Sequence, residues 1–255
     1  MKKSIKNILR KLGYGVTRIK KKPGLTKSRN QDLSYFFSSL KEIGFKSNNV
    51  IDVGANRGYW TRDILAIFPN AKITMIEPQT HLKLHFDDLL SSNPNINFLP
   101  IGVGSKSGKF DFTLRNNDDS STFLMSSSDA KEKGLEQVEI PVKSLNELLK
   151  AGDIDMPDMV KIDAEGLDLE VLNGATDLFR KTEIFLVEAA VNNHIFPNTF
   201  YKVINYMEDN GYRLFDITDN NRPFKTKLLW LVELVFVKKG GSVDQYRIAD
   251  LSRNK

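Results

Sequence analysis

The feature that most narrows the fold is a repeat of short apolar runs, each stopped by an acid or a glycine. Val50-Ile51-Asp52-Val53 stops at Gly54, Ile73-Thr74-Met75-Ile76 at Glu77-Pro78, and the run from Ile96 to Ile101 at Gly102. Met159-Val160-Lys161-Ile162 stops at Asp163, and Ile184-Phe185-Leu186-Val187 at Glu188. Runs of this length, rich in β-branched residues, read as buried strands. Residues 58–67, 80–91 and 167–179 carry the apolar spacing of helices between them. Ser144, with Glu147 three residues on, opens a further helix with the pattern of a capping box. Helices over 32–43 and 199–210 and strands over 212–217 and 230–237 complete the series. Strand–helix–strand alternation needs crossover connections, so the expectation is an α/β fold. Its mostly parallel seven-stranded sheet carries helices on both faces.

One stretch breaks the alternation. Residues 108–114 and 136–142 read as strands separated by the polar segment Asn116 to Ser128, an inserted hairpin or loop. No internal repeat is present. The catalytic domain is expected over residues 32–240, preceded by a basic N-terminal helix and linker (1–31) and followed by a polar tail (241–255).

Charge sharpens this division. The chain carries a net +5, yet its first 31 residues hold eleven Lys and Arg and no acid, so the remainder carries a net −6. A mildly acidic body disfavours a broad nucleic-acid surface, and no nucleic-acid partner is expected. Ile5, Ile8, Leu9 and Leu12 form one helical stripe among lysines. That stripe suits either docking on the body or peripheral contact of residues 1–22 with an anionic membrane. No run has the length of a membrane-spanning helix and no secretory signal is evident, so a cytoplasmic location, peripheral at the inner face of the membrane, is the expectation. The chain has no cysteine. That removes thiolate metal sites, iron–sulfur clusters and every mechanism with a cysteine nucleophile.

Ligands of such sheets bind beyond the carboxyl ends of the strands. Asp52-Val53-Gly54-Ala55-Asn56-Arg57-Gly58 has the spacing G-x-x-x-G rather than the dinucleotide fingerprint, which counts against a diphosphate. Glu77, at the end of the second strand, can accept hydrogen bonds from both hydroxyls of a ribose. Together these features indicate a nucleoside site without naming the cofactor.

The segment Val50 to Thr61 resembles the first motif of the FkbM family of methyltransferases. Glu77-Pro78 is similar to its second motif, and Gly102-Val103-Gly104-Ser105-Lys106-Ser107-Gly108 to its third-strand turn. Lys161-Ile162-Asp163-Ala164-Glu165-Gly166, followed by Leu169 to Ala175, resembles its most distinctive block, and Val187-Glu188 fits the next strand. Asn146 departs from the family, which often has an aspartate there. The resemblance spans about residues 45–240 and implies a Rossmann-like class I methyltransferase fold.

It further implies transfer of a methyl group from S-adenosylmethionine to a hydroxyl, leaving S-adenosylhomocysteine. Gly54, Asn56 and Gly58, with Asp52 beside them, would serve the methionine part of the cofactor, and Tyr59 and Thr61 the helix end near it. Glu77 would hold the ribose, and Gly102 and Val103 would lie near the adenine. Asp163 and His194 are the candidate bases, with Glu188 supporting the base or binding the acceptor. Glu165 reads equally well as an acid at a helix N-terminus. Asp163, Glu188 and Asn192 or Asn193 offer oxygen ligands for Mg²⁺, and no metal ligand is assigned. His81 and His85, four apart, read as a wet helix face, and the Trp230–Phe236 run as core. The acceptor is expected to be a small molecule or glycan, with a sugar of a bacterial surface glycan first. A natural-product hydroxyl, nucleic acid, a non-catalytic binding module and an NAD-dependent dehydrogenase are the alternatives. The Asn116–Ser128 loop and residues 189–200 are the segments expected to contact the acceptor.

Overall fold

A computed structural model describes residues 31–115, 121–192, 196–223 and 225–245. Its centre is a seven-stranded sheet. The strands are β1 (Asn49–Val53), β2 (Lys72–Ile76), β3 (Ile96–Leu99), β7 (Met159–Ile162), β8 (Ile184–Ala190), β9 (Tyr212–Asn221) and β10 (Leu231–Lys238), in the order β3-β2-β1-β7-β8-β10-β9. The five strands from β3 to β8 pair in parallel, and β10 runs against both neighbours. Parallel strands are covered on both faces, which is why β7 is buried along its whole length.

Two cores lie on opposite faces. On one, α1 (Gln31–Glu42) and α2 (Tyr59–Ile67) bring Phe36, Phe37, Leu40 and Ile64 against Val50, Met75 and Leu186. On the other, α5 (Leu145–Ala151), α6 (Asp168–Asn173) and α7 (Phe200–Asp209) bring Leu148, Leu172, Val203 and Met207 against Ile51, Ile162 and Val187. The alternation of apolar side chains along each strand supplies both faces at once. The expected capping box opens α5: the Ser144 side chain accepts from the Glu147 N–H at 3.2 Å, and Glu147 accepts from the Ser144 N–H at 3.1 Å.

The break in alternation is a second, three-stranded sheet. Here β4 (Gly102–Val103) pairs in parallel with β6 (Gln137–Lys143), which pairs antiparallel with β5 (Gly108–Thr113). A short helix, α4 (Ser127–Glu132), lies between β5 and β6.

Several boundaries differ from the sequence reading. The expected helix over 80–91 is a 3₁₀ turn, Thr80–His85, followed by α3 (Asp87–Ser92). Phe86 sits at the joint, fully buried and 5.1 Å from the Phe98 ring. The third strand stops at Leu99 because Pro100 has no N–H to continue the ladder. The helix expected over 167–179 divides at Gly174, where an added Cβ would lie 2.2 Å from the Gly104 carbonyl oxygen. Asn146 bridges this joint: its amide donates to the Thr176 hydroxyl and its carbonyl accepts the Asp177 N–H, both at 2.9 Å. β8 continues past Glu188 to Ala190 because β10 pairs along its whole length. The first residues of the expected tail are packed on the body. Val243 is buried, and Ser242 donates its N–H and hydroxyl to Glu183 at 2.8 and 2.9 Å. The basic segment 1–30 lies outside the described residues. No described helix is long and apolar enough to cross a membrane.

Candidate active site

A cleft of about 860 Å³ opens over the carboxyl ends of β1, β2, β7 and β8. That volume is ample for a nucleoside and a second ligand. The loop after β1 forms one wall. The Gly54 and Ala55 N–H groups both donate to the Ile76 carbonyl, at 2.9 and 3.1 Å, which carries the loop over the end of β2. Gly54 has φ +73°, and an added Cβ would stand 1.9 Å from the Asp163 carbonyl oxygen. Only glycine therefore lets β1 and β7 close at this point.

Glu77 lines the cleft while being only 3% exposed. One carboxylate oxygen accepts the Asn56 N–H at 2.9 Å and the other the Gln79 N–H at 3.0 Å. Burial pushes its carboxyl up, partly offset by these two donors. The Gln79 amide also donates to Glu77, at 3.2 Å, so of the roughly four acceptor sites of a carboxylate one stays open for a ribose hydroxyl, on the oxygen that accepts the Asn56 N–H. The first turn of α2 has no side-chain cap, since Gly58 precedes it, and the N-terminal end of a helix suits an amino-acid carboxylate. Ile101, Val103, Phe112 and Phe123 give the far wall an apolar surface. This set of donors, acceptors and apolar wall fits S-adenosylmethionine.

Beneath the loop lies a buried ionic cluster. Lys161 pairs in register with Asp52 across β1 and β7. Its ammonium donates to the Gly54 carbonyl at 2.8 Å and sits 3.3 Å from Asp52 and 3.2 Å from Asp163. Burial alone would lower the pKa of this ammonium. The Asp163 and Asp52 carboxylates more than offset that, so it stays raised and charged. Asp52 also accepts the Thr61 hydroxyl at 2.7 Å.

Of the residues singled out in the sequence, Gly54, Asn56, Tyr59, Glu77, Gly102, Val103, Asp163 and Glu188 line the cleft. Asp52 and Thr61 are fully buried behind its wall, and Gly58 packs on Phe86 and Met75, so these three support the loop rather than face a ligand. His194 and Asn193 lie outside the described residues. Among the described residues no group of three His, Asp or Glu side chains is placed to hold a metal. His81 and His85 are exposed. Glu165 is not a helix-start acid: it has φ +51°, lies in the cleft wall, and α6 begins only at Asp168.

Several participants escaped the sequence reading. Trp230 and Glu233 line the cleft instead of filling the core. Asp219, from the edge strand β9, lines it as well. Asp168 is fully buried and accepts the Ala164 N–H at 3.0 Å and the Asn198 amide at 2.6 Å. Burial, with Asp163 nearby, pushes its carboxyl up to about 7. Asn198 also donates to the Glu188 carbonyl at 3.2 Å, tying the loop after β8 to both acids. Burial and the charges of Asp163, Asp168 and Glu165 push Glu188 well above the usual carboxylate range. One signal was available: Glu233 is the single charged residue in the apolar run Leu228 to Val237.

A parallel sheet with one reversed strand next to its edge, and a nucleoside-type cleft over its middle, makes this protein a class I S-adenosylmethionine-dependent methyltransferase. Residues 52–214 match the methyltransferase FkbM domain, well over half of the chain, and the chain belongs to that family. No curated protein matches it in sequence. Among solved structures, it is similar to a precorrin-6y C5,15-methyltransferase from Geobacter metallireducens, with 15% identity, 86% of this chain and 94% of that chain covered, and a TM-score of 0.48. Another is a magnesium protoporphyrin IX methyltransferase from Synechocystis with bound S-adenosylhomocysteine, at 11% identity, 94% and 100% coverage and a TM-score of 0.47.

Proposed function

We propose that this methyltransferase acts on a hydroxyl of a polyhydroxylated acceptor, a sugar such as that of a surface glycan. The observation that carries the reading is the wall opposite Glu77. There Asp163, Glu188 and Glu233 share the cleft with the rings of Trp230 and Phe196. Carboxyl groups accept the protons of neighbouring hydroxyls, and aromatic faces receive the apolar face of a sugar ring. S-adenosylmethionine supplies an electrophilic methyl group. The chain holds the acceptor oxygen in line and takes its proton.

Asp163 suits the role of base, since its carboxylate is partly open to the cleft and fixed by the Lys161 ammonium at 3.2 Å. Glu188, whose carboxyl burial and Asp163 push well above the usual range, lines the same cleft and suits contact with an acceptor hydroxyl. Ser121 and Thr122, from the segment before α4, and Phe196, from the loop after β8, line the same cleft and would contact the acceptor.

The test is calorimetric titration of the full chain with S-adenosylhomocysteine, with NAD as control, on the wild type and on Glu77→Ala. Binding of S-adenosylhomocysteine alone is expected. Loss of a charge-assisted hydrogen bond should weaken it about tenfold or more in the variant. A preference for NAD, or no binding, sinks the reading. Methyl transfer to a glycoside hydroxyl, followed by mass spectrometry with and without Mg²⁺, tests the acceptor class.

A further inference from the structure

Three carboxyl side chains stand in one row across the sheet. Glu188 on β8 is paired in register with Glu233 on β10, and Glu233 with Asp219 on β9. Directly opposed residues of antiparallel strands project from the same face about 5 Å apart, and like charges so placed repel. All three line the cleft. Asp163 lines it from the neighbouring β7, so the row continues toward the base of the reaction.

The sheet is adjusted to hold this row. The β9–β10 register shifts next to it: Glu233 opposes Asp219, Leu234 opposes Ile217, and Thr218 is the extra residue. Such a bulge re-aims side chains. The Thr218 hydroxyl donates to Glu233 at 2.5 Å and fixes the direction of that carboxyl.

What the row lacks is a cation. Among the described residues, Glu188, Asp219 and Glu233 make no ion pair. Lys161, the nearest ammonium, is already engaged by Asp52, Asp163 and the Gly54 carbonyl. Among the described residues that line the cleft, seven carboxyl side chains face three cationic ones. Glu188 Oε2, closed off from solvent, has no hydrogen-bond partner among the described residues. Burial pushes Glu233 up to about 7 even though the Thr218 hydroxyl and the Lys161 charge pull it down, with Asp163 and Asp219 adding repulsion. Trp230 also lines the cleft, and an indole face attracts cations. A positive group entering here relieves the repulsion, whereas an anion adds to it.

We propose that the row Glu188–Glu233–Asp219 is a subsite for an ammonium group, so that the acceptor is an amino sugar or comparable amino alcohol, protonated on nitrogen and methylated on a hydroxyl. This assignment rests on the hydroxyl-methyltransferase reading and narrows it. It also rejects acceptors with a phosphate or carboxylate beside the reacting hydroxyl.

The experiment uses the full chain saturated with S-adenosylhomocysteine, whose own binding is measured first. Failure at that step strikes the methyltransferase reading and not the subsite. Glucosamine, glucose and glucuronate are then titrated in parallel by saturation-transfer NMR. Glucosamine should bind about tenfold tighter than glucose, the order expected of a partly desolvated charge pair, and glucuronate more weakly than glucose. Glu233→Gln and Asp219→Asn should each erase most of the glucosamine preference while S-adenosylhomocysteine still binds. If Glu233→Gln fails to bind the nucleoside, Asp219→Asn, at an exposed position on the edge strand, decides. Equal binding of glucosamine and glucose overturns the proposal. So do a preference for glucuronate, no binding of any of the three sugars, or an unchanged preference in the variants.

Discussion

Replacing Lys161 by Met would remove the charge on which the cofactor loop and two strand ends converge. Lys161 is 4% exposed and Asp52 is fully buried. Without the ammonium, Asp52 keeps, among the described residues, only the Thr61 hydroxyl as a hydrogen-bond partner, at 2.7 Å, and the Gly54 carbonyl loses the Lys161 donor. Breaking a buried ion pair from one side costs roughly 3–5 kcal/mol, because the remaining charge has no water to return to. For a chain of this size that corresponds to a fall in Tm of about 10 °C. Urea unfolding of Lys161→Met, Asp52→Asn and the double variant measures it. The double variant should be at least about 1 kcal/mol more stable than the two single losses summed, since a neutral amide in place of the Asp52 carboxylate leaves no buried charge. A Lys161→Met loss under about 1 kcal/mol, or strict additivity, would refute the claim that this pair anchors the loop. The same variant should weaken S-adenosylhomocysteine binding, because the Gly54 loop loses its tie to β7.

Two further outcomes follow from the same geometry. Gly54→Ala places a methyl group 1.9 Å from the Asp163 carbonyl at a left-handed φ, so β1 and β7 must part. S-adenosylhomocysteine binding should be lost with the secondary structure retained, as read by calorimetry and circular dichroism. Glu233 gives a pH signature. Its folded-state value of about 7 lies above the ordinary 4.5, so between these the folded chain binds the extra proton and stability falls as pH rises through that window. Discounted for its partial contact with solvent, this is a loss of roughly 2 kcal/mol by about pH 8. Glu233→Gln should therefore match the wild type near pH 5 in urea unfolding and exceed it near pH 8. A difference independent of pH would show that Glu233 is not protonated in the folded state.

The loop after β1 and the acid after β2 were readable because they are local. A strand must end, the chain must turn, and a glycine or an acid at that point has few other uses. The capping box at Ser144 was readable for the same reason, since both partners lie within four residues. Asn198 and Asp168 were not: they meet across 30 residues and show no periodicity in the chain. Trp230 was misread because a strand's period gives two faces but not which of them meets a cleft. Glu188 was placed at a strand end because its apolar run stops there, whereas pairing with β10 carries the strand on to Ala190.

By itself the sequence determined the α/β class, the mostly parallel sheet, the glycine turn after β1 and the acid that follows β2. Hydrophobic period and turn chemistry act over a few residues, and the chain carries them whether or not it is folded. Only the tertiary structure decided which carboxyls face one another. The row from Glu188 through Glu233 to Asp219 depends on strand register and on one extra residue in β9. Register is settled by packing across the whole sheet, where a shift of one residue would turn each of these acids to the other face.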